Sequence, residues 1–222
     1  MMPCRNAAST QAMALASLTA QSHADWECIL VDDGSTDDSR RIVERYNEPR
    51  LRYIRLDRRR GRGYARQIAL ESVRGEFLCI LDADDWYYPE KLRLQLEFLK
   101  HHPQVDLVST GMAIVDQDGR LVGVRGSAGA DTTFGGPWSG LRPPPLAHGP
   151  AMMRVAAAAH AQYDESSARA EDSDFLSQVL EQHSWAVMPE ITYVYAEYAS
   201  ATPANILSGH RAWLRHLWRH PD

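Results

Sequence analysis

Two short apolar runs in this chain each end in a group of carboxylates. Trp26-Glu27-Cys28-Ile29-Leu30-Val31 stops at Asp32-Asp33-Gly34-Ser35, and Phe77-Leu78-Cys79-Ile80-Leu81 stops at Asp82-Ala83-Asp84-Asp85. Carboxylates side by side repel one another unless a cation or hydrogen-bond donors compensate them. Asp82 and Asp84, two residues apart at a strand end, can both reach a hard divalent ion that in turn bridges phosphate oxygens. Either segment alone reads equally well as a turn or a helix cap; two of them at the ends of strands in one sheet point to a ligand site. A third charged feature is basic. Arg50, Arg52, Arg55, Arg58, Arg59, Arg60, Arg62 and Arg66 put eight positive charges into 17 residues, with Asp57 the only acid among them. The whole chain carries −5, so the remainder is near −12. That balance argues against a general nucleic-acid binder. The cluster itself reads either as a solvated loop or as a site for an anion such as a diphosphate.

The elements that must position these residues follow from the spacing of apolar positions. A run that is apolar throughout suits a strand buried on both faces, as in a parallel sheet. Asn6 to Ser22 has helical spacing. Ser35-Thr36-Asp37-Asp38 offers an N-cap with acids in the first turn, ahead of Arg40, Arg41 and Arg45. Leu51 to Leu56 alternates as a strand and Tyr64 to Val73 reads as a helix. Pro89 opens another helix that carries Leu92, Leu94, Leu96, Phe98 and Leu99. Strand and helix in alternation imply right-handed crossovers and a doubly wound α/β sheet, in which ligands bind beyond the carboxyl ends of the strands. Both acidic groups fall there.

Beyond residue 105 the pattern changes. Val105–Val115 and Leu121–Val124 flank Asp116-Gln117-Asp118-Gly119 as a hairpin. Gly126 to Pro150 holds six glycines and five prolines in 25 residues, which reads as a flexible binding loop without regular structure. A helix near Glu171–His183 and a strand near Trp185–Tyr195 follow. The tail places Leu207, Trp213, Leu214, Leu217 and Trp218 on one face of a helix, with Arg211, Arg215 and Arg219 between them. That face is expected to rest on an anionic membrane surface or to pack on the domain or a partner subunit, as in a homodimer. At 222 residues, 44% hydrophobic and 24% charged, the chain suits one globular domain. Cys4, Cys28 and Cys79 lack ligand spacing, no apolar run is long enough for a membrane span and no signal peptide opens the chain. The expected compartment is therefore the cytoplasm.

Val-Asp-Asp-Gly-Ser-Thr-Asp at 31–37, Gly-Tyr-Ala-Arg at 63–66, and Leu-Asp-Ala-Asp-Asp at 81–85 followed by Pro89-Glu90-Lys91-Leu92 resemble, in order and spacing, the family 2 glycosyltransferases of the GT-A fold. The resemblance continues through Leu146-Ala147-His148, Met153-Arg154, Tyr163-Asp164-Glu165 and Ala170-Glu171-Asp172-Ser173-Asp174, and ends near Tyr195. It implies an α/β fold with a mostly parallel, Rossmann-like nucleotide-binding sheet, helices on both faces and a smaller acceptor-side part. One GT-A domain would span 1–200, with a nucleotide-sugar half at 1–115 and an acceptor half at 116–200 containing the loop 126–150. Residues 201–222 would form the appended helix.

The implied activity is transfer of a sugar from a nucleotide-diphosphate sugar to the hydroxyl of a sugar or lipid-linked acceptor, in bacterial polysaccharide or glycoconjugate assembly. By the resemblance, Asp32 and Asp33 would hold the base and ribose, Pro3 and Asn6 the other side of that pocket, and Arg66 would lie near the nucleotide. Asp82 and Asp84 match the Asp-x-Asp motif that grips Mn²⁺ or Mg²⁺ on the donor diphosphate. Asp172 matches the general base. Glu171 stands next to it as an acceptor-side candidate, and His148, leaving the glycine-rich loop beside the site, reads either as an acceptor-side contact or as a structural residue. One displacement assisted by one base inverts the anomeric centre. The chain departs from the family where only Met1 and Met2 precede Pro3, where Arg5 replaces an aromatic, and where Gln67 replaces Asn. A shortened first strand leaves a second reading open, a nucleotide-sugar-binding protein without turnover. A nucleotidyltransferase would want a Gly- and Lys-containing loop after the first strand, and Pro3–Thr10 has neither.

Other motifs have plainer readings. Gly61-Arg62-Gly63-Tyr64-Ala65-Arg66 lacks the third glycine of a dinucleotide loop. His101-His102 suits a helix end. Cys28 and Cys79 suit apolar strands.

Overall fold

Cys28-Ile29-Leu30-Val31-Asp32 is buried at every position and forms the middle strand, β2 (Cys28–Asp32), of a parallel three-stranded sheet. Its neighbours are β1 (Met2–Cys4) and β3 (Leu51–Arg55), in register Pro3↔Val31 and Val31↔Ile54. The crossovers are α1 (Gln11–Thr19) and α2 (Ser39–Tyr46), and α3 (Arg62–Glu71) leads out of β3. A computed structural model provides this description, for residues 1–126, 129, 131–138, 143–165 and 170–197. The tail helix expected at 201–222 lies outside the described residues.

The first helix starts at Gln11 rather than near Asn6. Asn6 sits at φ +50°, a left-handed conformation that keeps the preceding loop out of the helix. Its side-chain oxygen accepts the Thr36 amide at 2.9 Å, tying the loop after β1 to the loop after β2. β1 is a short edge strand whose ladder is with β2. Besides its ladder with β2, the Met1 amino group donates to the Cys79 carbonyl at 2.7 Å and the Met1 carbonyl accepts the Leu81 amide at 3.0 Å. Through Met1 the parallel sheet joins the second sheet.

That second sheet contains β4 (Phe77–Cys79), β5 (Trp86–Tyr87), β6 (Leu107–Val115), β7 (Leu121–Arg125), β8 (Thr133–Gly135), β9 (Met152–Arg154) and β10 (Trp185–Ala196). The order is β4-β9-β6-β10-β5, with β7 on β6 and β8 on β10. Here only β6 and β10 run parallel; the other pairs are antiparallel, so the sheet system is mixed. All nine residues of β6 are buried, as its central place requires. The hairpin at Asp116–Gly119 forms as expected: Asp116 Oδ1 accepts the amides of Asp118 and Arg120, and Gly119 takes φ +75°. The Gly- and Pro-rich loop was expected to lack regular structure, yet it contains β8, because the edge of β10 offers unpaired backbone groups there. A Cβ at Gly135 would lie 2.2 Å from the Trp185 ring, so only glycine fits that pairing.

Helices α4 (Lys91–His101) and α5 (Glu171–Leu180) complete the layers. One apolar cluster gathers Leu30, Leu99 and Val108, and another gathers Met153, Tyr163, Phe175 and Leu180. Cys4 and Cys28 lie in the first of these, and burial pushes the Cys28 thiol up to about 11, which keeps it protonated and inert.

Candidate active site

Two loops at the carboxyl ends of the parallel strands are clamped by acids. Asp32 is fully buried; its Oδ1 accepts the Ser35 amide at 2.7 Å and its Oδ2 the Tyr53 hydroxyl at 2.6 Å. Asp33 Oδ1 and Oδ2 accept the backbone amides of Arg60 and Gly61 at 2.5 and 3.0 Å. Between these loops Gly34 takes φ +65°, and a Cβ there would come within 2.7 Å of the Arg58 backbone. Both oxygens of Asp32, expected at the nucleotide, have protein donors in this structure. One oxygen shapes the turn at Ser35 and the other holds Tyr53 on β3. Asp33 shapes the neighbouring loop after β3 in the same way. Pro3 is buried in β1 and acts by placing Asn6, whose exposed side chain stays at the loop edge.

The second acidic group follows β4. Asp82 is half-buried, Asp84 exposed and Asp85 buried. Arg66, one turn into α3 and fully buried, donates through its two terminal nitrogens to Asp82 Oδ1 and Glu171 Oε1, both at 2.8 Å. Arg62, half-exposed and one turn earlier, adds a 3.2 Å contact to the same Glu171 oxygen. Burial would raise the Asp82 carboxyl, but the Arg66 charge and hydrogen bond hold it below the usual range. Although Asp84 is exposed at its surface, the protein around its carboxyl partly desolvates it and, with the charge of Asp82, shifts it upward. Arg62 and Arg66 both act on these two acids through their charge.

Asp85 takes a role that the sequence did not single out. It accepts the Tyr193 hydroxyl at 2.5 Å and the Ala196 amide at 2.9 Å, pinning the end of β10 beside the site. Burial, with Asp82 next, raises its carboxyl to about 8. Nothing in the run Asp82–Asp85 distinguishes this acid in sequence; its partners lie more than 100 residues away.

On the far side, α5 begins with Glu171, Asp172 and Asp174 in its first turn, where the helix dipole favours negative charge. Glu171, expected on the acceptor side, is fully buried and pairs with Arg62 and Arg66. Asp172, next to it, is half-buried and its Oδ1 accepts only the adjacent Ser173 amide among the described residues, at 2.8 Å. His148, expected to emerge beside the site, is buried too. It shares a 2.8 Å hydrogen bond with the Tyr163 hydroxyl and meets the Tyr163 and Phe175 rings edge-on.

Burial, with Arg66 next, pushes the His148 imidazole down to about 3. In the unfolded chain it titrates near 6.5. Between those values the unfolded state binds more protons, so this stabilisation is complete above the unfolded pKa and is lost as pH falls toward the folded one. His148→Gln retains an acceptor for Tyr163 and is expected to flatten the loss of stability between about pH 6.5 and pH 4. Urea unfolding across that range measures it; an equally steep loss in the variant would contradict the assignment.

Among the described residues no three or more His, Cys, Asp or Glu converge on one point. Asp82, half-buried, and Asp84, exposed, offer carboxylate oxygens two residues apart. That donor set fits a hard divalent cation whose remaining ligands are water and substrate phosphate. The arrangement therefore places carboxylates suited to a cation that joins a phosphate on one side of the Arg66 bridge, and the helix start with Asp172 on the other.

Comparison with known proteins bears on this geometry. The model of glycosyl transferase family 2 matches residues 1–159, a span that includes Asp82 and Asp84 but stops before α5. Similar curated proteins include the putative teichuronic acid biosynthesis glycosyltransferase TuaG of Bacillus subtilis, 38% identical over 105 residues that cover 46% of this chain and 41% of that one. The putative glycosyltransferase EpsE of the same organism is 31% identical over 157 residues, covering 68% and 54%. The chain spans about half the length of these relatives or less. The crystal structure of S. aureus TarS 1–349 in complex with UDP-GlcNAc matches the whole chain and 66% of its own, with a TM-score of 0.77 at 22% identity. At that identity the likeness is one of fold, and it extends through α5.

Proposed function

The chain belongs to glycosyl transferase family 2, and on that footing we propose that it moves a sugar from a nucleotide-diphosphate donor to an acceptor hydroxyl with inversion at the anomeric carbon. The observation that carries this reading is the Arg66 bridge, which ties Asp82, the first of the donor-type acids, to the helix start bearing Asp172. Residues 1–115 form the donor half in this reading and 116–200 the acceptor half. The loops clamped by Asp33 and Asn6 bound the nucleotide. Asp82 and Asp84 would hold Mn²⁺ or Mg²⁺, which when bound neutralises charge accumulating on the leaving diphosphate. Arg62 adds positive charge beside them.

Asp172 takes the proton of the acceptor hydroxyl as its oxygen forms a bond to the anomeric carbon. The bond from that carbon to the diphosphate breaks with its electron pair, releasing nucleoside diphosphate. With one displacement and one base, the configuration inverts. The names of the relatives, among them a UDP-Glc-dependent glucosyltransferase of Escherichia coli, support a role in bacterial polysaccharide assembly and uridine donors as the first probes. The acceptor we infer is a sugar or lipid-linked glycan met at the cytoplasmic face of the membrane. Among the described residues no helix is long and apolar enough to cross that membrane.

The second reading, nucleotide-sugar binding without turnover, depended on the short first strand. The parallel ladder of β1 with β2 and the hydrogen bonds of Met1 to Cys79 and Leu81 weigh against it. The test is to incubate the chain with UDP-sugars, Mn²⁺ and glycan acceptors, following release of UDP and the anomeric signals of the product by NMR. An inverted product is expected. A retained product contradicts the single-displacement mechanism, and tight donor binding with no release from any pair favours the second reading.

A further inference from the structure

Tyr193 is fully buried, and the strand that carries it is irregular just before it. Against β6, Ile191 of β10 lies opposite Gly111 and Tyr193 opposite Met112, so Thr192 is one residue more than the partner strand supplies. An extra residue of this kind bends the strand and re-aims the side chains beside it. Here the irregularity is locked in place. The Thr192 hydroxyl shares a 2.6 Å hydrogen bond with the Thr110 hydroxyl, and the Thr192 carbonyl accepts the Tyr88 amide at 2.9 Å. The Tyr193 ring tilts against Tyr87 with 5.7 Å between centroids. Its hydroxyl passes Gly149, where a Cβ would lie 2.9 Å from the phenol oxygen. A buried tyrosine hydroxyl needs a partner, and this one donates to Asp85 Oδ2 at 2.5 Å.

Asp85 closes the acidic turn after β4. Its amide donates to the Asp82 carbonyl at 3.1 Å, and its Oδ1 accepts the Ala196 amide at 2.9 Å. The turn is therefore gripped at both ends, Asp82 by Arg66 and Asp85 by β10, with Ala83 buried between them. Asp84 is the exposed acid of the three. With its neighbours fixed on either side, its backbone has little freedom, and its carboxylate is presented outward. Both Asp85 oxygens accept from the protein, so Asp85 serves as the anchor of the turn.

We propose that Tyr193 is a positioning residue for the cation, holding through Asp85 the turn that presents Asp84 beside Asp82. This rests on the transfer reading above, in which Asp82 and Asp84 hold Mn²⁺ on the donor diphosphate. Groups that orient a metal ligand through hydrogen bonds affect metal affinity almost as the ligands do. Tyr193→Phe removes one oxygen and keeps the buried ring against Tyr87. The test titrates Mn²⁺ calorimetrically into the full chain saturated with UDP, beside amide hydrogen exchange of residues 82–86 without metal or nucleotide. In Tyr193→Phe the Mn²⁺ affinity is expected to fall about tenfold or more, UDP binding without metal to hold, and the turn to exchange faster. Asp85→Asn keeps one acceptor oxygen, is expected to fall between the two proteins, and carries the test alone should Tyr193→Phe not fold. Wild-type Mn²⁺ affinity in the variants that fold overturns the proposal, whatever their exchange rates, by making the Tyr193 bond merely structural. A steeper loss in Asp85→Asn than in Tyr193→Phe overturns it by making Asp85 itself a ligand. Absence of any Mn²⁺ response in the unaltered chain would instead sink the metal assignment of Asp82 and Asp84, and this proposal with it.

Discussion

Asp172→Asn is expected to lower sugar transfer by about 10²–10⁴-fold, the usual contribution of a positioned general base, while the affinity for donor nucleotide holds. The substitution is nearly isosteric. An asparagine oxygen can still accept the Ser173 amide, so the first turn of α5 keeps its local hydrogen bond. Glu171 retains its contacts to Arg62 and Arg66, and the acids after β4 are untouched. What is removed is the ability to take a proton from the acceptor. The deficit should therefore fall on turnover, with little change in the donor concentration at half-saturation. Release of UDP from a productive donor–acceptor pair measures both. A variant that keeps more than a third of its turnover would remove Asp172 from the base role, and one that loses donor affinity equally would make the residue structural.

Arg66→Met is expected to cost about 3 kcal/mol or more of folding stability. Methionine fills much of the same volume, so the loss is electrostatic rather than a matter of packing. Arg66 is fully buried, and its removal leaves Asp82 and Glu171 as neighbouring carboxylates without their shared donor. Arg62 compensates Glu171 through a longer, half-exposed contact and cannot reach the same position. The effect is read from urea unfolding midpoints, and a double-mutant cycle separates the bridge from mere truncation. If the charge is the cause, Arg66→Met combined with Glu171→Gln recovers part of the stability lost by Arg66→Met alone. A loss below about 1 kcal/mol would place the bridge among surface-like pairs of little consequence.

Local pattern made the strands that carry the acids legible. β2 and the run ending at Leu81 are uninterrupted apolar segments closed by acids, and the hairpin after β6 has its turn chemistry written in Asp116 and Gly119. Long-range pairing was not legible. β9 lies antiparallel between β4 and β6, and β8 along β10, because distant edges needed partners; three-residue strands leave no period to read. The start of α1 was missed because the left-handed turn at Asn6 is stabilised by Thr36, thirty residues away.

At the site, residue type identified the acids but not their duties. Asp32 and Asp82 both end apolar runs, yet one is sealed under Tyr53 while the other opens to the cleft beside Arg66. Arg66 meets Glu171 across 105 residues of chain, so its bridging role exists only in the fold. His148 looked exposed because its loop is rich in glycine and proline, whereas the rings of Tyr163 and Phe175 draw it into the core.

The most direct test of the account is calorimetric titration of the chain with UDP and UDP-sugars, with and without Mn²⁺, beside Asp84→Ala. Asp84 is exposed and makes no ion pair among the described residues, so its removal should leave the fold intact. The account predicts nucleotide binding that strengthens with Mn²⁺ and a metal-dependent increment that disappears in the variant. Equal binding by both proteins, with or without the metal, would contradict the assignment of Asp82 and Asp84 to the donor diphosphate.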